Sequence, residues 1–120
     1  EQNFRLEMGE NPENVTARLY LGRVLRVQGR AREAAQVLNE ARKRAPEDAD
    51  VLREYGHALM DMKQPALAVT AYRQAQEIDP AQANNWVGLV RALRAAGDPS
   101  ADEVLQRAPA EAQAALRRQP

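Results

Sequence analysis

Three prolines set the frame of this chain: Pro12, Pro46 and Pro80 recur at a constant 34-residue step. Proline lacks an amide donor and its ring clashes with the preceding helical turn, so it is expelled from helix interiors. A constant proline spacing therefore marks recurring breaks between helices. Other residues keep the same step. Leu21, Tyr55 and Leu89 correspond, as do Gly22, Gly56 and Val90, then Leu25, Leu59 and Leu93. Later in each unit Ala34 matches Ala68, Leu38 matches Tyr72, and Ala41 matches Ala75, while Phe4 extends the series of Leu38 and Tyr72 backwards. A period of this length means stacked units, each burying its apolar face on the next.

The units read as helix pairs. Ala, Leu, Arg, Glu and Gln dominate the composition, and all are strong helix formers. The first helix of each pair is expected at about 13–27, 47–61 and 81–95, and the second at about 31–43, 65–77 and 99–107. Residues 1–9 read as the second helix of a truncated preceding unit, and 110–118 as one further helix. Gly29 and Gly97 suit a left-handed residue after a helix. Pro65 and Pro99 suit a first helical turn, and Asn11-Pro12 and Asp79-Pro80 read as a cap followed by proline at a helix start. Gly22 and Gly56 each cost about 1 kcal/mol of helix stability against alanine, so their recurrence points to close helix approach.

These residues resemble the tetratricopeptide-repeat family. Its pattern is a large apolar residue, then Leu-Gly, Tyr or Leu, Ala, an aromatic, Ala and Pro on a 34-residue period. The middle unit matches best, with Leu52, Tyr55-Gly56, Leu59, Ala68, Tyr72, Ala75 and Pro80. The first unit has Arg18 where the first large apolar residue is expected. The third begins with Trp86, Leu89 and Leu93 and then departs: Val90 replaces the glycine, and Asp102 and Pro109 stand where alanines belong. The resemblance implies an all-α fold, a right-handed superhelix of stacked antiparallel helix pairs. Residues 1–120 then form one domain: a half repeat at 1–12, repeats at 13–46 and 47–80, a degenerate repeat at 81–108 and a C-terminal helix at 109–120. The degenerate end reads as a cap over the last apolar face. The chain begins at Glu1, without Met or a signal-peptide pattern, which reads as a piece of a longer protein.

Little in the sequence carries chemistry. His57 is the single histidine, and there is no cysteine. No His/carboxylate cluster has metal-ligand spacing, the glycines make no phosphate loop, and paired acids such as Glu47/Asp48 read as charges opposing a helix dipole. An enzyme is not expected, nor any cofactor or metal. Lys+Arg and Asp+Glu are balanced at 17 each, which argues against general nucleic-acid binding. No stretch is long and apolar enough to insert in a membrane. Cytoplasm and periplasm both remain open.

The resemblance implies a concave groove lined by the first helix of each pair, which holds a peptide or helix of a partner. Carried over, the pattern places Arg23, His57 and Arg91 in one row and Arg26, Met60 and Arg94 in the next. Toward the helix starts come Thr16, Asp50 and Asn84, then Leu19, Arg53 and Val87. Arginines outnumber Asp50 and Asp61 there, and a guanidinium grips a carboxylate with paired donors. The expected partner is thus a protein or peptide offering an acidic segment or a free C-terminus. The competing reading is a solvated helix face whose arginines pair with acids of adjacent turns. The Lys, Asn, Asn, Lys, Arg set with which some family members grip chaperone C-termini is absent, since Leu19, Arg23, Glu54, Asn84 and Gly88 stand in its place. The Ala/Arg-rich style resembles bacterial members serving pilus assembly, secretion or envelope export. A self-associating structural domain and a docking domain of a larger enzyme are the alternatives.

Overall fold

The computed structural model describes residues 14–118 of the chain. Seven helices and no strand lie among them: α1 (Asn14–Val27), α2 (Ala31–Arg44), α3 (Ala49–Asp61), α4 (Pro65–Ile78), α5 (Ala83–Ala95), α6 (Ala101–Arg107) and α7 (Ala110–Arg117). The expected helix at 1–9, with Phe4, and the expected start at Asn11-Pro12 lie outside the described residues.

Each helix packs on the next, and the first helices also touch in sequence, α1 on α3 and α3 on α5, while α1 and α5 do not meet. Turns of residues 28–30 and 62–64 reverse the chain within the first two pairs. The product is a right-handed superhelix of stacked antiparallel helix pairs, 44 × 26 × 21 Å. Its apolar core follows the repeat. Leu21, Leu25, Ala34 and Leu38 are buried at one end, and Leu59, Tyr72, Leu89, Val90 and Leu93 continue through the middle to Ala112 and Leu116.

The repeated glycine has the expected close contact. A Cβ on Gly22 would lie 2.6 Å from the Leu38 side chain, and one on Gly56 would lie 2.8 Å from the Tyr72 ring. Gly88 on α5 makes room for the same ring, since a Cβ there would clash with it. Val90 needs no such gap. The second helix of its unit, α6, has only seven residues against fourteen in α2 and α4, and Gln106, in step with Leu38 and Tyr72, is exposed. Ala101, Val104 and Ala108 are buried there in place of the missing pattern.

Several helix starts fall later than expected. Pro46 and Pro80 lie in the turns, and α3 and α5 begin at Ala49 and Ala83. The Asp48 carboxylate caps α3 by accepting from the amides of Asp50 and Val51 at 3.0 and 3.2 Å. Pro99 likewise precedes its helix, because Asp98 closes a turn by accepting from the Ser100 amide and hydroxyl at 2.9 and 2.8 Å. Pro65 does sit in the first turn of α4.

Candidate functional site

The first helices α1, α3 and α5 carry the candidate groove residues, and the 34-residue step aligns them in rows. Their states differ from helix to helix. On α1, Arg23 Nε stands 3.2 Å from Glu54 Oε2, and Arg26 Nη1 stands 3.5 Å from Glu54 Oε1. Arg26 Nε also donates to Asp61 Oδ2 at 2.8 Å. Both acids belong to α3, so the partners of these arginines come from the next helix along rather than from adjacent turns of their own. Glu54 is only 7% exposed and lies beneath the two guanidiniums. Arg23 also lies over the Tyr20 ring at 5.5 Å.

On α3, Arg53 is engaged within the fold. It is buried, its Nη1 donates to Asn85 Oδ1 at 2.9 Å, and its Nη2 donates to Asp50 Oδ1 at 2.9 Å. The physical cause is the neighbouring helix: Asn85 offers a carbonyl oxygen at a depth where a lone guanidinium would be costly. Asn85 is itself fully buried, and its amide donates to the carbonyls of Ala75 and Asp79 at 3.2 and 3.0 Å. It thereby adds a second donor to carbonyls at the end of α4 that already accept from the Asp79 and Gln82 amides. Its neighbour Asn84, the residue expected in the groove, is exposed.

His57 occupies the centre of its row, with Nδ1 2.5 Å from the Tyr72 hydroxyl. Burial lowers the imidazole pKa, with Arg26 and Arg53 adding to the effect and Glu54 and Asp61 opposing it. Burial also pushes the Tyr72 hydroxyl far above its ordinary value. Both directions fit a neutral ring accepting the proton of a neutral phenol. Met60 is half-buried at the core edge, one turn further on.

On α5 the rows end in Arg91 and Arg94. Both are exposed, and neither makes an ion pair or side-chain hydrogen bond within the described residues. Along the first helices these side chains therefore run from paired arginines on α1, through His57 and Met60 on α3, to open arginines on α5. Trp86 lies elsewhere. It is half-buried, its indole donates to the Pro80 carbonyl at 2.6 Å, and it borders a cleft of about 260 Å³ with Arg73, Ser100 and Arg107. Among the described residues no group of three or more His, Cys, Asp or Glu side chains is placed to hold a metal, and no helix is long and apolar enough to cross a membrane.

Sequence reasoning missed Glu54 and Asn85 as organising residues. Glu54 carries a signal, since an acid facing two arginines on the preceding helix follows from the repeat register. Asn85 carries a weaker one: it replaces Ala17 and Val51 at a position buried on α3, where a polar residue needs partners.

A tetratricopeptide-repeat family model matches residues 5–49 and again 21–83. Among solved structures the chain is similar to the TPR2AB domain of yeast Sti1 in its complex with pHSP90, at 27% identity and a TM-score of 0.75. That likeness covers 80% of this chain and 38% of the other, so the chain spans well under half the length of that structure. No curated protein matches. The two family matches together span residues 5–83, over half the chain, and agree with the 34-residue step and the stacked pairs: the chain belongs to the tetratricopeptide-repeat family.

Proposed function

We propose that this chain is a protein-interaction module whose concave face takes up an acidic peptide or helix of a partner. Arg23, Arg26, His57, Met60, Asn84, Arg91 and Arg94 line that face, and Arg53 supports it from beneath. The observation that carries the reading is the open arginine pair on α5, aligned with a row of side chains from α1 and α3. A similar repeat domain in complex with a protein ligand supports it further. The assembly favoured by the Ala/Arg-rich style is bacterial pilus, secretion or envelope-export machinery. The test is affinity capture from lysate with the wild-type chain and with an Arg23→Glu/Arg91→Glu variant checked for helicity. A partner held by the first and lost by the second is the expected result. A partner held equally by both moves the site off the groove.

A second reading, self-association through an end of the stack, has one observation in its favour. Tyr20, Val24 and Val27 on α1 are 52%, 45% and 89% exposed. Residues in step with Val24 on the later helices, Ala58 and Ala92, are fully buried against the preceding pair. A mass that rises with protein concentration and is lost in Val24→Asp would favour that reading.

A further inference from the structure

We propose that Arg91 and Arg94 form a carboxylate-binding site for an acidic partner segment, which takes the place at α5 that Glu54 takes at α1. The inference rests on the groove reading above and names the chemistry and location of its anchor. Arg91 and Arg94 stand two repeat steps beyond Arg23 and Arg26. At α1 the next first helix supplies Glu54 and Asp61, and the arginines are neutralised within the fold. At α5 the place of the next first helix is taken by α7, which touches α5 much as α5 touches α3.

The helix starts, Ala83 for α5 and Ala110 for α7, set the register between the two. Because α6 has seven residues instead of fourteen, the step from α5 to α7 is shorter than the repeat step. Asn85 then leads to Ala112 and Leu89 to Leu116, and all four are buried. By the same shortened step Gly88, the counterpart of Glu54, leads to Ala115. Among the described residues no acid of α7 pairs with Arg91 or Arg94. The two guanidiniums at α5 thus repeat an arrangement whose spanning acid is present at α1 and replaced at α7.

The geometry at α1 shows what fits. One carboxylate spans both arginines, with an oxygen 3.2 Å from one guanidinium and the other oxygen 3.5 Å from the second. A Glu or Asp side chain on a partner segment lying along α5 can do the same, and at closer range such an ion pair gains charge-assisted hydrogen bonds. Phosphate is the competing anion. The charge balance of the chain weighs against nucleic acid, which needs a broad basic surface.

The probe is a fluorescent, end-capped hexaglutamate peptide titrated against the whole chain at low salt, with a hexaglutamine control. Expected is binding of hexaglutamate alone, weakened about tenfold or more in Arg91→Gln/Arg94→Gln. An Arg73→Gln/Arg107→Gln variant, altered on the cleft beside Trp86, should bind as the wild type does. Glu54→Gln, which frees Arg23 and leaves Arg26 with Asp61 alone, should bind more tightly or take a second peptide. Circular dichroism checks that each variant keeps its helices. Equal binding by wild type and Arg91→Gln/Arg94→Gln overturns the assignment to α5. Unchanged binding by Glu54→Gln overturns the parallel with α1. An oligothymidylate that displaces the peptide from Arg91 and Arg94 overturns the choice of an acidic protein segment. Failure of hexaglutamate to bind at all overturns the carboxylate site, while the groove reading is judged by its own capture experiment.

Discussion

Lys63 shows how the repeat exposes a residue that composition hides. Gly29, Lys63 and Gly97 hold the same place in successive units, and all have positive φ, at 78°, 62° and 72°. The following amides of Arg30, Gln64 and Asp98 donate to the carbonyls of Leu25, Leu59 and Leu93, so the same C-terminal motif closes three helices. Glycine takes this conformation without steric cost, whereas a side chain meets its own carbonyl, at about 1–2 kcal/mol. Part of that returns through the greater freedom of glycine in the unfolded chain. Lys63→Gly should therefore stabilise the protein by about 0.5–1 kcal/mol in urea unfolding. His57 gives a pH prediction at the same scale. Its folded pKa lies below the unfolded value of 6.5, so as pH falls through that value the unfolded chain takes up the proton first. Stability is at its full level above pH 6.5 and declines below it, until the folded ring also protonates. Thermal melts from about pH 7.5 to about pH 5.5 should show a larger fall for the wild type than for His57→Gln, which keeps a partner for Tyr72. Equal falls would assign the acid sensitivity to carboxylates instead.

Helices are legible in the sequence because their breaks are periodic, while their starts are less so. A cap residue followed by proline, as at Asp79-Pro80, reads as a helix start, yet Pro46 and Pro80 lie ahead of α3 and α5. What decides the boundary is the cap, and among the residues preceding α2–α7 only Asp48 caps with its side chain. Asp48 bonds two amides of α3 with its side chain, whereas none of the residues preceding α2 and α4–α7 makes a side-chain cap bond. One repeat later Gln82 holds the same backbone conformation, with φ −83° and ψ 110° against −90° and 107° for Asp48. Gln82→Asp should install the missing cap and add about 1 kcal/mol, read as a higher urea midpoint with unchanged slope. Asp48→Ala should lose a similar amount. The shortening of α6 is visible in the sequence as a loss of the pattern after Leu93, but not as a deletion, because Ala112 and Leu116 rejoin the register only once α7 is placed beside α5.

Across the whole molecule the stack is one-dimensional. Each first helix touches only its neighbours in the series, so stability is expected to divide into units and the joints between them. The joint between the second and third pairs has a polar centre, which periodicity does not reveal because Asn85 breaks an apolar series. Arg53 reaches across from α3 to Asn85, and Asn85 reaches back to the end of α4. Asn85→Ala would leave the Arg53 guanidinium with Asp50 as its remaining partner and the carbonyls of Ala75 and Asp79 without this donor. Losing buried bonds to a charged group and to helix-end carbonyls should cost about 2–4 kcal/mol. The loss should not fall evenly. Leu21, Leu25 and Leu38 pack in a cluster that does not include α5, whereas Leu89, Val90 and Leu93 pack with Ala112 and Leu116 beyond the joint. Native-state amide exchange of Asn85→Ala should therefore show α5–α7 opening at much lower free energy while α1 and α2 keep most of their protection. Protection lost equally from α1 to α7 would mean that the stack folds as one unit, and that a ligand on Arg91 and Arg94 would stabilise α1 as strongly as α5.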